Sequence, residues 1–446
     1  MKDTPIYTRL LQHNELDRSS FHTPGHKCSD FLPDDLLRMD YTELPDTDAL
    51  YEAEDIILKT EQNLARLFGT KRTMISSGGC TLAIQTMLRL ALNRGRKMLF
   101  ARNVHRSAVN AMALLDIDPV WVNPLSDNGL FTGRVSPQQI EAALRQDSNI
   151  SAVYITSPDY YGELSDITSI AEICHRFGVI LMTDNAHGSH LAFGSQNLHP
   201  IHLGADMAAS SLHKTLPVLT GGAVLDINDD ALAENAKEAM ALFGSTSPSY
   251  PIMASIDLCC DYLLNGNGKE EYTRLEKRVR QIKNEAVQKG LMMPDGPCDP
   301  LRVCINTSCA GIQEHRQQEY FQSFGIDCEF CDGKNAVFIC TPFNTERDFA
   351  RLENAIRSLP DISHDHFSPP VPPLSLPQKR MSPRSAMLSP IETVAVKDCQ
   401  GRISADTACP CPPGIPVIMP GEKMDQSSQQ LLTKYHFNAV RCVKNK

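Results

Sequence analysis

The sequence has no apolar run long enough to cross a bilayer, which excludes a membrane-spanning helix. It also lacks an excess of basic residues: 43 Lys and Arg against 53 Asp and Glu leave a net charge of −10. Nucleic-acid-binding surfaces are basic, so that class is set aside and small-molecule ligands are favoured. Met1 to Leu11 carries charges and no apolar signal core, so secretion is not expected. Cysteine is plentiful, but the count of 15 is odd and the spacing scattered. Without an export signal these read as reduced thiols in a cytoplasmic protein. Cys328 and Cys331 have half of a zinc-site spacing with no second pair, and Cys409 and Cys411 sit among prolines, so no metal site is expected. A G-x-G-x-x-G fingerprint, a nucleoside triphosphate loop and internal repeats are all missing.

What remains is ordinary globular composition, 42% apolar and 22% charged over 446 residues, enough for two or three domains. Short apolar strands alternate with helical stretches from Arg72 onward. Strands are expected at 72–76, 97–101, 119–122, 151–156, 179–182, 205–209 and 221–225, with helices at 53–68, 82–92 and 167–177 and another opened by Ser136-Pro137. Such alternation means βαβ units and a mostly parallel sheet. Strands without period-2 alternation fit a sheet covered on both faces. From Leu301 a smaller α+β domain is expected, and 360–383 is rich in Pro, Ser and His.

Several chemically capable residues fall just past strand ends: Gly78-Gly79, His105, Tyr160-Tyr161, Asp184 with His187, and Lys214. In a parallel sheet these ends lie along one edge, where open α/β folds bind ligands. The Ser77-Gly78-Gly79-Cys80-Thr81 turn joins a strand to a helix, which makes a phosphate cradle from free N–H groups and the positive helix end. Asp184 and Lys214 together suggest a pyridoxal phosphate (PLP) site, with Lys214 as Schiff-base lysine and Asp184 as partner of the pyridine nitrogen. Taken singly, each also reads as an ordinary surface or turn residue. His22, His26 and Lys27 around a Pro-Gly turn read first as a surface loop, and only weakly as the lining of an anionic site.

The chain resembles the Orn/Lys/Arg decarboxylase family, in its short form without an N-terminal wing domain. The resemblance runs through Thr23-Pro24-Gly25-His26-Lys27, Thr42-Glu43-Leu44-Pro45, Arg102-Asn103-Val104-His105-Arg106-Ser107 and Ser157-Pro158-Asp159-Tyr160-Tyr161-Gly162. It continues in Asp184-x-Ala186-His187-Gly188, Ser211-Leu212-His213-Lys214-Thr215, Thr246-Ser247-Pro248-Ser249-Tyr250, Met381-Ser382-Pro383-Arg384 and Pro412-Pro413-Gly414-Ile415-Pro416. It implies an α/β fold: the aminotransferase-like fold type I of PLP enzymes, a mostly parallel central sheet plus smaller C-terminal α+β domains. The implied division is an arm (1–45), a large PLP-binding domain (46–300), a small domain (301–362), a linker (363–383) and a C-terminal decarboxylase-type domain (384–446).

The resemblance also implies roles. Lys214 holds PLP and later returns a proton; Asp184 keeps the pyridine nitrogen protonated; Ala186 packs on one ring face and His105 stacks on the other. Gly79, Cys80 and Thr81, with Ser211 and His213, bind the phosphate, and His187 belongs to the same catalytic group as Lys214, His105 and Asp184. The 245–249 loop approaches the site of a partner subunit in a homodimer or higher homo-oligomer. The implied reaction is decarboxylation of arginine, lysine or ornithine to a polyamine-pathway amine. The competing readings are another PLP reaction, such as an aminotransferase or lyase, and an inactive regulatory homologue. Two positions depart from the family pattern. Asn185 stands where Glu is frequent, removing an acidic contact, and Cys80 stands where a hydroxyl is usual. Glu43, Asp46 and Glu422 lie in family-like motifs and are candidates for the substrate's distal cation, though each reads first as a solvated surface acid.

Overall fold

The computed structural model describes residues 18–22, 25–27, 31, 40–44, 47–125, 133–360, 376–410 and 414–444. The arm contributes strand β1 (Ser19–Phe21). The central sheet comprises β2 (Arg72–Ser76), β3 (Lys97–Ala101), β4 (Asp118–Val122), β5 (Ala152–Thr156), β6 (Ile180–Asp184), β7 (Met207–Ser210) and β8 (Ala223–Ile227). Their order is β2-β8-β7-β6-β5-β3-β4. β8 runs antiparallel to both its neighbours, and the other strands share one direction. The reversal has a local cause. Between β7 and β8 lies only the one-turn helix Leu212–Thr215, whereas a parallel crossover needs a full helix or its equivalent.

Both faces of the sheet are covered, as continuous apolar strands require. Leu99, Val153 and Leu181 pack on one side with Ile140, Leu144 and Ile170. Met98, Phe100, Tyr154 and Met182 pack on the other with Leu82, Met87 and Met112. Helix ends follow their sequence signals. Ser136 accepts from the Gln139 N–H in a capping box, and Gly69 ends the helix Ile56–Phe68 at φ 71°.

The smaller α+β part contains β9 (Arg302–Asn306), β10 (Ile326–Cys328), β11 (Phe330–Cys331) and β12 (Asn335–Ile339). β11, β12 and β9 form an antiparallel sheet, and β1 pairs in parallel with β10. Part of the arm is therefore a strand. Phe21 is fully buried and meets Phe338 edge-on at 5.8 Å. Further on, Gly25 donates to the His213 carbonyl at 2.6 Å. An added Cβ on Gly25 would stand 2.5 Å from the Leu216 carbonyl oxygen, so no larger residue fits. Thr23, Pro24, Pro45, Asp46, Pro412 and Pro413, and residues 363–375 of the expected linker, lie outside the described residues.

The C-terminal segment has its own hairpin, β13 (Ile391–Ala395) with β14 (Ala439–Val443), and a core around Val417, Ile418, Met424 and Leu432. It docks on the large domain through a buried ion pair. Arg102, just past β3, donates to both carboxylate oxygens of Glu422 at 2.7 and 2.6 Å. Its remaining donors meet the carbonyls of Pro416 and Val417, and Trp121 flanks the guanidinium at 5.7 Å. Both side chains are essentially inaccessible, at 0% and 2%. Among the described residues no helix is long and apolar enough to cross a membrane.

Removing one partner of a buried pair strands the other charge, which costs about 3–5 kcal/mol. Arg102→Ala is expected to lower the denaturant midpoint accordingly. Arg102→Met combined with Glu422→Leu is expected to recover much of the loss, because the fill is apolar and no charge is left alone.

Candidate active site at the strand ends

β6 runs two residues further than its apolar pattern predicts. Thr183 and Asp184 are still paired with Ile155 and Thr156 on one side and Ala208 and Ala209 on the other. Asp184 is consequently inside the sheet's edge, 1% exposed. The Tyr154 hydroxyl donates to Oδ2 at 3.0 Å and the Ala186 N–H to Oδ1 at 3.1 Å. Among the described residues Asp184 forms no ion pair. A buried carboxylate with hydrogen bonds but no ion-pair contact is poised to receive a cation.

Lys214 lies in the one-turn helix after β7, and its Nζ is 2.8 Å from His187 Nε2. Burial lowers the Lys214 pKa, while Cys80 and Asp184 pull it back up. Burial, then Lys214 and Arg302, holds the His187 pKa well below its usual value. His187 is therefore neutral: Nε2 accepts from the amine and Nδ1 carries the proton. That Nδ1 is buried without a hydrogen-bond partner among the described residues. A lysine shifted toward its free amine is the nucleophile that imine formation needs.

His105 follows β3 and caps the helix Arg106–Leu115. Its Nδ1 accepts from the Ser107 N–H at 3.2 Å and faces Ser107 Oγ at 2.8 Å. The proton of the neutral ring then resides on Nε2. Desolvation in the cleft lowers its pKa, with Asp184 opposing and Lys214 adding to the shift. Both charges thus act on His105, and they act on Cys80 as well.

The helix Gly79–Ala91 starts without a side-chain cap, leaving its first-turn donors for a ligand. Gly79 sits at φ 68° and donates to the Gly221 carbonyl at 2.8 Å, so that one N–H is already engaged. Cys80 Sγ donates to the Ala209 carbonyl at 3.4 Å, and burial raises its thiol pKa well above the ordinary value. Thr81 is exposed at the helix start, and Ala186 is half-buried beside Asp184. His213 Nδ1 donates to the Gly222 carbonyl at 3.1 Å and lies 3.1 Å from Ser211 Oγ. That bond leaves Ser211 its proton to donate, and leaves His213 with Nε2 alone for a ligand.

Two contributors escape a reading by sequence pattern. Arg302, at the start of β9, donates to the carbonyls of Asp159, Tyr160 and His187. A buried arginine in an apolar strand carries no local signal of that task. Tyr154 sits inside a strand whose pattern reads only as core. Tyr160 was visible as a strand-end residue, and its ring lies 4.7 Å from that of His187.

Some acids and departures resolve differently from expectation. Glu422 is held by Arg102 and is not free to read a substrate cation. Glu43 accepts from the Leu50 N–H at 3.2 Å, and Asp46 lies outside the described residues. Asn185 does not contact the cleft as an acid would. Its amide donates to Ser210 Oγ at 2.9 Å within the sheet, and an added Cβ on Gly188 would stand 2.1 Å from its Oδ1. Beyond it, Ser210 meets His199 at 3.2 Å, His199 lies 3.8 Å from Asp226, and Thr73 donates to Asp226 at 2.7 Å. A carboxylate at 185 would join this chain with no cation to offset it.

Burial pushes the Asp226 carboxyl up to about 7. A raised carboxyl pKa favours folding while the group is protonated. Its contribution is full below the unfolded value of about 4 and is lost as pH rises through about 7. Asp226→Asn keeps the shape and removes the titration. Its stability relative to wild type is expected to improve between pH 5 and pH 8 in urea unfolding. An unchanged difference would show that Asp226 is ionised throughout.

Comparison with known proteins agrees with this geometry. The family profile described as Orn/Lys/Arg decarboxylase, major domain, matches residues 4–295, and the corresponding C-terminal domain profile matches residues 372–446. An arginine decarboxylase of Bacillus subtilis is 28% identical, the alignment covering 97% of this chain and 93% of that protein. The structure of the constitutive lysine decarboxylase of E. coli superposes with a TM-score of 0.76 at 20% identity, covering 99% of this chain and 82% of that one. A structure described as SPT with PLP superposes with a TM-score of 0.60 at 13% identity, covering 77% and 88%. The sheet is thus that of the fold-type-I PLP enzymes, and with both profiles matched the chain belongs to the Orn/Lys/Arg decarboxylase family.

Proposed function

We propose that this cleft carries out PLP-dependent decarboxylation of a basic amino acid, with arginine the first substrate to test. The observation that carries the reading is the pairing of a buried Asp184, in no salt bridge among the described residues, with a desolvated Lys214 at adjacent strand ends. The residues fit PLP. An uncapped helix start at Gly79 and the Ser211 hydroxyl suit a phosphate, Lys214 suits an aldehyde, and Asp184 suits a protonated ring nitrogen. When bound, PLP supplies a conjugated cationic ring that takes up the electron pair left by departing CO₂.

The remaining work falls to side chains. Asp184 stabilises positive charge on the ring nitrogen by direct pairing. Ala186 would pack on one face of the ring, and His105 would stack on the other, its Nε2–H available to the substrate carboxylate. The bond to be broken must stand perpendicular to the ring, so this flanking is an orienting task. Lys214 returns the proton to the α-carbon, and His187 Nε2, at 2.8 Å, takes part in holding that proton. Gly79, Cys80, Thr81, Ser211 and His213 would hold the phosphate. A histidine at 105, where an aromatic ring would favour aminotransferase chemistry, supports decarboxylation. Relatives named arginine decarboxylase are 27–29% identical, whereas one named constitutive lysine decarboxylase is 23% identical, which supports arginine and hence agmatine as product.

The wider assignment is a cytoplasmic homodimer in polyamine biosynthesis. The large domain spans 46–300, the small domain 301–362 and the C-terminal domain 384–446. The exposed residues 245–247 lie in the loop that would approach a partner's site.

Purified protein is expected to carry a yellow, borohydride-reducible chromophore that Lys214→Ala abolishes. In a panel of amino acids, CO₂ release is expected from arginine ahead of lysine and ornithine. Release from none of the three would end the decarboxylase reading even with PLP bound.

A further inference from the structure

Tyr154 has no part in the roles above, yet its placement is specific. It stands on β5 two residues before the strand end, paired with Met182, while Asp184 pairs with Thr156. Tyr154 and Asp184 therefore share a face as diagonal neighbours on adjacent strands, within reach of a long side chain. The ring is fully buried and packs on Phe100 at 5.3 Å between centroids. Its hydroxyl donates to Asp184 Oδ2 at 3.0 Å. Burial, then Asp184 and Cys80, raises the Tyr154 pKa well above its usual value, so the group stays a donor. The Ala186 N–H occupies the other oxygen. Together the two donors fix the plane of the carboxylate and draw on one lone pair of each oxygen.

We infer that Tyr154 is a positioning residue, which orients Asp184 and sets how firmly the ring nitrogen of bound PLP is held protonated. This rests on the assignment of Asp184 as partner of that nitrogen. The physical argument is one of competition. A hydroxyl donating to Oδ2 in a low-dielectric site stabilises the ionised carboxylate and restrains its rotation. Without it, the carboxylate can turn away from the cofactor or share the nitrogen's proton differently. Replacement by phenylalanine keeps the ring that packs on Phe100 and deletes only the donor.

The test is Tyr154→Phe, alone and combined with Asp184→Asn, read by spectrum, PLP affinity and kinetics. In Tyr154→Phe the pH midpoint of the bound cofactor's visible band is expected to move by about half a unit or more. PLP is expected to dissociate several-fold more readily. A fall in kcat of about tenfold with little change in KM is expected, because the interaction matters after substrate is bound. In the Asp184→Asn background the same substitution is expected to leave the band midpoint unmoved. A purely structural tyrosine would lower Tm and leave the band midpoint and the kcat-to-KM split unchanged, which overturns the proposal. An equal band shift with and without Asp184 overturns it as well. If Asp184→Asn alone leaves the wild-type spectrum intact, the assignment of Asp184 itself has failed, which is a distinguishable result.

Discussion

Hydrogen bonding between β5, β6 and β7 keeps Thr156, Asp184 and Ala209 side by side, and the site depends on that register. Cβ direction alternates along a strand, so a slip of one residue would turn Asp184 to the opposite face. It would meet the layer of Ile140 and Ile170 in place of Tyr154 and the cleft. The strands fix the register by their apolar faces, and the chemistry inherits it. Lys214 then needs only a one-turn helix to come back over the edge toward His187.

Distant parts of the chain are tied to the same edge. Gly25 of the arm bonds the carbonyl of His213, next to Lys214, and its own carbonyl accepts from Thr341 of the small domain. Arg302 of the small domain holds the carbonyls of Tyr160 and His187. Arg102, three residues before His105, is gripped by the C-terminal segment through Glu422. Arm, small domain and C-terminal segment thus each grip backbone or side chain within a few residues of a candidate catalytic group. The C-terminal segment has its own core, whereas the arm and small domain share the apolar core of the large sheet, and polar contacts at the site's margin add to that packing.

Much of the architecture was legible because it rests on local signals. The strand–helix alternation, the Ser136 cap and the Gly69 stop all follow from neighbouring residues. The strand ends could be read because apolar runs stop where the chain leaves the core. What escaped depends on pairing across the fold. β1 is three residues long and becomes a strand only against β10. The reversal of β8 comes from a short connection and not from its own sequence. Asn185, read as the loss of an acidic contact, turns its amide into the sheet, because a residue after a strand end can point either way. Tyr154 and Arg302 are long polar side chains in buried strands, and only the structure gives the atoms they reach.

The cap at His105 carries a consequence of its own. One ring nitrogen accepts the Ser107 N–H that would otherwise be left open at the start of the helix Arg106–Leu115. Protonating that nitrogen would convert an acceptor into a donor facing a donor, so an imidazolium at 105 would fray the first turn of a helix packed on the sheet. The ionisation of the ring is thereby coupled to the secondary structure beneath it. The helix start adds to desolvation in favouring the uncharged ring, against the opposing pull of Asp184.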